Sequence, residues 1–492
     1  MTKINQLFAP KDMTEGSTWK RILEFAVPML IGNVAQQLYN TVDAIVVGKY
    51  VGDNALAAVG SAMPIMNLLL VLFVGVVTGA GIMVSQYFGA KDREKLSRAI
   101  GICITLTGVA SLVMMIIGPL FVRPLLQLLN TPSSIIDWCH KYLVIFFLGS
   151  AGFLFYNILS GILRGLGDSL SALLFLLFST ALNTVLDIWF VAGFGMGVPG
   201  VALATIIAQA ISAILCFFKL IRMRSIFDLN LKTLVPSKEY VVRLLKLGLP
   251  SGLTQVIFSF AMIAVQSLTN SLGELVIACN VIVMRVDGFA MMPTFTFGAA
   301  MSTFTGQNVG AGKLDRVEKG TRDGLKMAVG VSIFITTCIL LFGQYLVNFF
   351  TNTAELAELS IRMLKILAFG YIAMSVTQVL SGVMRGAGYT ITPMWLSLII
   401  TIFLRVPMAY LFVYLTRSEA YPKGRPEALF ISLLIAWILG AVINIIVFRR
   451  GNWKKKGFTS KALGITREDA SSDVQENGTN EIKGDTVTVE GV

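Results

Sequence analysis

LSGILRGLG (residues 159–167) returns as LSGVMRGAG (380–388), 221 residues later in a chain of 492. At the same offset Gln86-x-x-Gly89-Ala90 matches Gln307-x-x-Gly310-Ala311. RILEFAVP, ending at Pro28, matches RLLKLGLP, ending at Pro250, at an offset of 222. Matches in register at three places between residues 28 and 167 identify an internal duplication, so the fold is two copies of one unit.

Around these motifs the chain is oily. Hydrophobic residues make up 55% and charged residues 14%, against roughly 25% charged in a soluble globular domain. Mean hydropathy is +0.75. A spanning helix needs about 20 mainly apolar residues, and twelve such runs are present: 22–47, 55–85, 98–120, 137–160, 170–192, 198–221, 243–268, 275–305, 325–347, 361–384, 393–415 and 428–448. The second and eighth are long enough to tilt or bend. Solid apolar runs, without ten-residue alternation, exclude a membrane β-barrel. The expected fold is an all-α integral membrane protein, with twelve transmembrane helices in two six-helix bundles. Six spans per copy bring both copies in from the same side, which makes a parallel repeat about an axis along the membrane normal.

Basic residues orient the chain. With the N-terminus cytoplasmic, 30 of the 40 Lys and Arg lie on that side and 8 on the other, with Arg285 and Arg405 inside spans. The expected organisation is a cytoplasmic N-terminus (1–20), an N-lobe (21–225), a cytoplasmic linker (226–242), a C-lobe (243–450) and a cytoplasmic tail (451–492). The tail is polar and poor in aromatics, the composition of a disordered segment. The polar first eighteen residues are no cleavable signal peptide.

Other classes drop out. The net charge of +12 comes from short loops between apolar spans, so nucleic acid is not a partner. His140 and five scattered cysteines offer no zinc-ligand spacing. No nucleophile–base pair or metal motif marks an enzyme. Two facing bundles enclose a cleft, which suits a transporter that alternates access. A channel would usually need a ring of like subunits.

Ionisable groups at membrane depth are costly and are functional candidates by default. Asp43 on the first span, Asn183 and Asp187 on the fifth and Thr205 on the sixth all fall in the outer half of the first bundle. Two carboxylates, an amide oxygen and a hydroxyl suit Na⁺, or a carboxylate pair sharing a proton. The second copy is a control: Asn183 corresponds to Leu404, Asp187 to Met408 and Asp43 to Ala264. The shared scaffold therefore folds without these groups. Asp287 lies near the middle of the eighth span with Arg285 two residues away, a spacing at which helix side chains do not meet. Arg405 at similar depth either neutralises Asp287 or stands apart from it. The eighth span also carries Met284, Phe289 and Met291, soft and aromatic groups that adapt to varied apolar ligands. With Gln36 of the first span, Met284, Arg285, Asp287, Phe289 and Met291 are the candidate substrate cleft. The repeated Ser-Gly-x-x-Arg-Gly-x-Gly motif reads as structural: small residues for close helix approach, with Arg164 and Arg385 capping carbonyls or pairing with the other lobe's loops.

The first span with Pro28 and Asp43, the segment NTVLDIWFVAGFGMGVPGVALAT (183–205) and the duplicated twelve-span plan resemble the multidrug and toxic compound extrusion (MATE) transporters over nearly the whole chain. The resemblance implies a V-shaped, two-lobed efflux pump of the plasma membrane, in bacteria the inner membrane, working as a monomer without a cofactor. Its implied cargo is amphipathic, often cationic compounds, exported in exchange for Na⁺ or H⁺. It also implies that the coupling ion binds at Asp43, Asn183, Asp187 and Thr205, and that the first helix bends at Pro28. Some Na⁺-coupled members carry acids in the seventh and tenth helices, but spans 243–268 and 361–384 here have none. The nearest competing function is a flippase for lipid-linked precursors or polysaccharides. It would need a cationic cavity, for which the sequence supplies only Arg285 and Arg405 within spans.

Overall fold

The computed structural model describes residues 10–129 and 131–451, with several side chains between residues 40 and 72, that of Asp43 among them, outside the described set. The tail beyond Gly451 and the first nine residues also lie outside it. Twelve spans run in the predicted order. They are Thr18–Tyr50, Asp53–Gly89, Arg93–Leu128, the pair Ser133–Leu148 and Ser150–Gly165, then Ser169–Gly193 and Val198–Ile221. The second six are Lys238–Leu272, Glu274–Gly310, Leu314–Asn348, the pair Ala354–Ala368 and Gly370–Gly386, then Ile391–Leu415 and Pro426–Arg450. No strand interrupts them among the described residues.

Most helices overrun the apolar runs that announce them. The first has 33 residues, roughly 50 Å at 1.5 Å each, where the hydrocarbon layer is about 30 Å thick. The face at which the first span begins and the last ends is here termed the terminal face. The seventh helix likewise starts at Lys238, inside the segment that composition marks as linker.

Two spans bend sharply, the fourth by 54° and the tenth by 43°. The breaks fall at Gly149 and next to Gly370, positions related by the repeat offset. At each, a neighbouring helix fills the space a side chain would need: Ile206 of the sixth at Gly149 and Trp437 of the twelfth at Gly370.

The two halves exchange helix ends. Ile22, Phe25 and Ala26, at the start of the first helix, pack with Phe297, Met301 and Phe304 of the eighth. Tyr240, Leu244 and Leu247, at the start of the seventh, pack with Tyr87, Ile100 and Ile162 of the first half. Pro28 and Pro250 follow directly after these crossings.

The halves also meet along the second and seventh helices. Gly75 and Gly79 face Gly248 and Gly252 so closely that a Cβ on either of the first two would overlap backbone. Small residues four apart on both helices permit this contact, the usual device where lipid offers no hydrophobic drive. Across the first and eighth helices a hydrogen bond from Asn33 to Thr296 Oγ1 (2.8 Å) occupies the related place.

At the terminal face the repeated glutamines close a reciprocal latch. Gln86 Nε2 donates to the Gly386 carbonyl (2.9 Å), and Gln307 Nε2 donates to the Gly165 carbonyl (3.2 Å). Both donors and both acceptors are related by the offset of 221. A Cβ on Gly89 would overlap the Gln307 carbonyl, and one on Gly310 would overlap that of Gln86. The duplicated motifs that reveal the fold are therefore the surfaces on which its halves touch.

Candidate functional site

In the first half, Asn183 and Asp187 share a face of the fifth helix, one turn apart, and both are buried. Thr205 enters from the sixth helix, its hydroxyl donating to the Val201 carbonyl (3.0 Å). Asn183 Nδ2 lies 3.5 Å and Tyr39 Oη 3.4 Å from Thr205 Oγ1. Three of the four predicted ion-site residues are thus on adjacent helices with inward side chains. Asp43, the fourth, belongs to the first helix, but its side chain lies outside the described residues.

Tyr39 was not predicted from the sequence. It stands four residues before Asp43, hence on the same helix face, and that spacing is the signal that would have found it. Chemically the cluster is a set of hard oxygens in an apolar surround: Val191, Val198 and Val201 beside it are buried. Such a set is chemically suited to a small hard cation or a proton.

Pro28 lies inside the continuous first helix, half-buried. The proline lacks an N–H, so the carbonyl four residues earlier loses its donor. For Pro250 that carbonyl is Lys246, and Thr390 Oγ1 donates to it at 3.0 Å. The seventh helix is therefore stitched to the loop before the eleventh.

The predicted substrate-cleft residues form a looser group. Met284, Arg285 and Phe289 are exposed, Gln36 and Asp287 are half-buried, and Met291 packs against the core of the second half. Tyr371 of the tenth helix donates its hydroxyl to Asp287, and Arg405 acts on the same carboxylate electrostatically. Asp287 is thus held by two neighbours from other helices and not by Arg285. Tyr371 escaped sequence reading because a tyrosine among apolar residues has many ordinary packing roles.

A cavity of about 600 Å³ lies instead between the halves, lined by residues near the terminal-face ends of several helices. Met29, Asn33, Thr254, Gln255, Phe295 and Trp437 are among its walls, and none of the six predicted cleft residues lines it. Arg164, Arg385 and Arg405 do. The repeat-motif arginines thus do not cap carbonyls or pair with the other lobe: among the described residues neither makes a side-chain hydrogen bond or salt bridge. The glycines around them do allow close approach, Gly161 and Gly165 against the second helix and Gly382 and Gly386 against the eighth. The cationic cavity that intramembrane arginines alone did not foretell therefore exists, because helix-end arginines turn inward.

Twelve apolar spans in two repeated halves around a central cavity define a membrane transporter. A family profile, MatE, matches both copies, residues 28–189 and 250–411, again 222 apart. "Probable multidrug resistance protein YoeA" of Bacillus subtilis is 30% identical over 453 residues, covering 90% of this chain and 96% of that protein. "Probable multidrug resistance protein YpnP" of the same organism is 30% identical over 92% of this chain and 99% of its own length. A solved structure described as the outward-facing conformation of a multidrug resistance MATE family transporter superposes with a TM-score of 0.83 at 25% identity. It covers 92% of this chain and 99% of its own. The chain belongs to the MatE family: it is a multi-pass membrane transporter with the family's twelve-helix, two-lobed fold, and not an enzyme.

Proposed function

We propose that this protein is a secondary antiporter of a bacterial inner membrane that exports amphipathic compounds, cationic drugs among them, in exchange for Na⁺ or H⁺. The observation that carries the reading is the asymmetric oxygen cluster of Asn183, Asp187 and Thr205, built into one copy of a duplicated scaffold and replaced by Leu404 and Met408 in the other. A shared fold does not need those groups, and burying them is expensive. A coupling ion taken up by Asp43 and Asp187 gives that expense a purpose.

On this reading the terminal face is cytoplasmic, as the basic residues favour, and the latch across Gln86 and Gln307 closes the cytoplasmic side. Ion and drug need not touch. Each need only prefer a different arrangement of the halves, and binding of one then shifts the population away from the other. Asp287, with its exposed neighbours Met284 and Phe289, is a carboxylate that a cationic amphiphile can approach from the cleft.

The test is dye efflux from proteoliposomes under a Na⁺ gradient and, separately, a pH gradient. One gradient should drive transport in the wild type. Asp43→Asn and Asp187→Asn should each abolish it while leaving drug binding measurable, and Asn183→Ala should be milder because it removes a ligand but no charge. Wild-type rates in both aspartate variants would overturn the coupling site.

A further inference from the structure

We propose that the cavity between the halves binds the oxyanion group of an anionic amphiphile, with Arg164, Arg385 and Arg405 as its ligands. The proposal extends the transport reading above, on which it rests only for the statement that the bound molecule is cargo. Three guanidinium groups line one cavity, and among the described residues no Asp or Glu lines it with them. All three are half-buried, and none has a hydrogen-bond or salt-bridge partner among the described residues. The one carboxylate acting on any of them, Asp287 on Arg405, is already held by Tyr371 and does not line the cavity.

Partly desolvated guanidinium groups without a partner are unfavourable unless something supplies charge and acceptors. A planar carboxylate, sulfonate or phosphate meets the guanidinium fork geometrically. A cation placed there would face three like charges. The rest of the wall suits the body of an amphiphile: Met29, Phe258, Phe295, Met374, Leu396 and Trp437 are apolar. A volume of about 600 Å³ lies within the range that encloses a drug-sized molecule.

The arginines arrive by two routes. Arg164 and Arg385 are repeat equivalents at the ends of the fourth and tenth spans. Arg405 closes a π-helical stretch, Ile399–Arg405, in the eleventh span, the sort of wide turn that re-aims side chains and is frequent at functional sites. The copy-related helix has no arginine at this depth. A merely structural role, in which Arg164 and Arg385 offset the negative ends of their helices and Arg405 balances Asp287, does not account for the convergence of all three on one cavity.

The experiment uses the full-length protein in phosphatidylcholine nanodiscs, with tritiated taurocholate as the anionic probe and tetraphenylphosphonium as the cationic one. Taurocholate should bind saturably, and Arg405→Gln and Arg385→Gln should each weaken it about tenfold, the usual loss for a hydrogen bond to a charged group. Arg405→Lys, which keeps the charge but not the fork, should weaken binding less than Arg405→Gln, and Ser397→Trp, which fills the cavity while leaving every arginine, should remove it. Phosphatidylglycerol in the nanodiscs separates the sources. Competition with taurocholate would mean that a lipid headgroup enters the site, and no competition would leave a soluble amphiphile as the ligand. Absence of saturable taurocholate binding, or binding indifferent to both Arg→Gln changes and to Ser397→Trp, would overturn the proposal. Wild-type transport is measured on the same preparation. Arginine-dependent binding without gradient-driven efflux would sink the antiport reading alone, and efflux without anion binding would sink this one alone.

Discussion

At the scale of residues, the instructive groups are those whose neighbours the sequence did not show. Asp287 accepts a hydrogen bond from the Tyr371 hydroxyl, so removing either partner should disturb the same contact. Asp287→Asn and Tyr371→Phe are expected to change transport of a cationic dye in the same direction, with Asp287→Asn larger because it also strips Arg405 of its counter-charge. Efflux assays on the two variants check this, and opposite effects would separate the residues functionally. Asp168 has a structural task. It caps the fifth helix by accepting from the Ser171 N–H (2.9 Å) and lies 3.6 Å from Lys219. Burial raises its carboxyl above the usual carboxylate range. Asp168→Ala should destabilise by about 1–2 kcal/mol, whereas Asp168→Asn, which keeps the cap acceptor, should cost less. Thermal unfolding in detergent distinguishes them.

At the scale of elements, the first and seventh helices invite comparison because they are copies with different surroundings. Both carry a proline just after the segment that packs on the opposite half, and a proline is where a helix bends most readily. Among the described residues a side-chain donor, Thr390, reaches the freed carbonyl for Pro250 and none does for Pro28, and that stitch holds the seventh helix in place. Pro28→Ala should therefore slow transport several-fold while the protein still folds, since a straighter first helix favours one of its two arrangements. Pro250→Ala should matter less. Equal rates in the two variants would remove the first helix from any special part in switching. The GxxxG contact makes a second expectation. Gly79→Leu should separate the second and seventh helices and lower expression of folded protein, because its side chain has nowhere to go but into the backbone of Gly248.

At the scale of the molecule, the latch makes the closed terminal face nearly symmetric. Each glutamine–carbonyl bond contributes about 1 kcal/mol, so Gln86→Ala or Gln307→Ala alone should shift the balance between closed and open terminal faces roughly fivefold. The double change should shift it further than either alone. Distances between spin labels at Glu94 and Lys319, both exposed loop-proximal sites, report that balance, and an unchanged distribution in the double variant would dismiss the latch. A strap reinforces the face. Met13 is fully buried, its N–H donating to Gln307 Oε1 (2.9 Å), while Arg316 reaches the carbonyls of Met13, Glu15 and Gly16. Polar composition gave no hint that this segment would be tied down, since its partners lie some 300 residues away.

The sequence by itself determined the membrane class, the number of spans and the duplication, because each rests on signals that are local or periodic. Twenty apolar residues must cross as a helix wherever they occur, and a repeated motif is visible without any coordinates. It also pointed to Asn183, Asp187 and Thr205, since burial of polar groups in lipid is costly enough to be noticed one residue at a time. Tertiary structure alone decided what those spans do to one another. The exchange of helix ends, the partner of Asp287 and the inward turn of Arg164 and Arg385 depend on which faces of distant helices meet. Lipid-facing and protein-facing positions are equally apolar in a membrane, so hydropathy carries little record of that choice. Small residues and bends make it, through close packing that exists only once both halves are folded together.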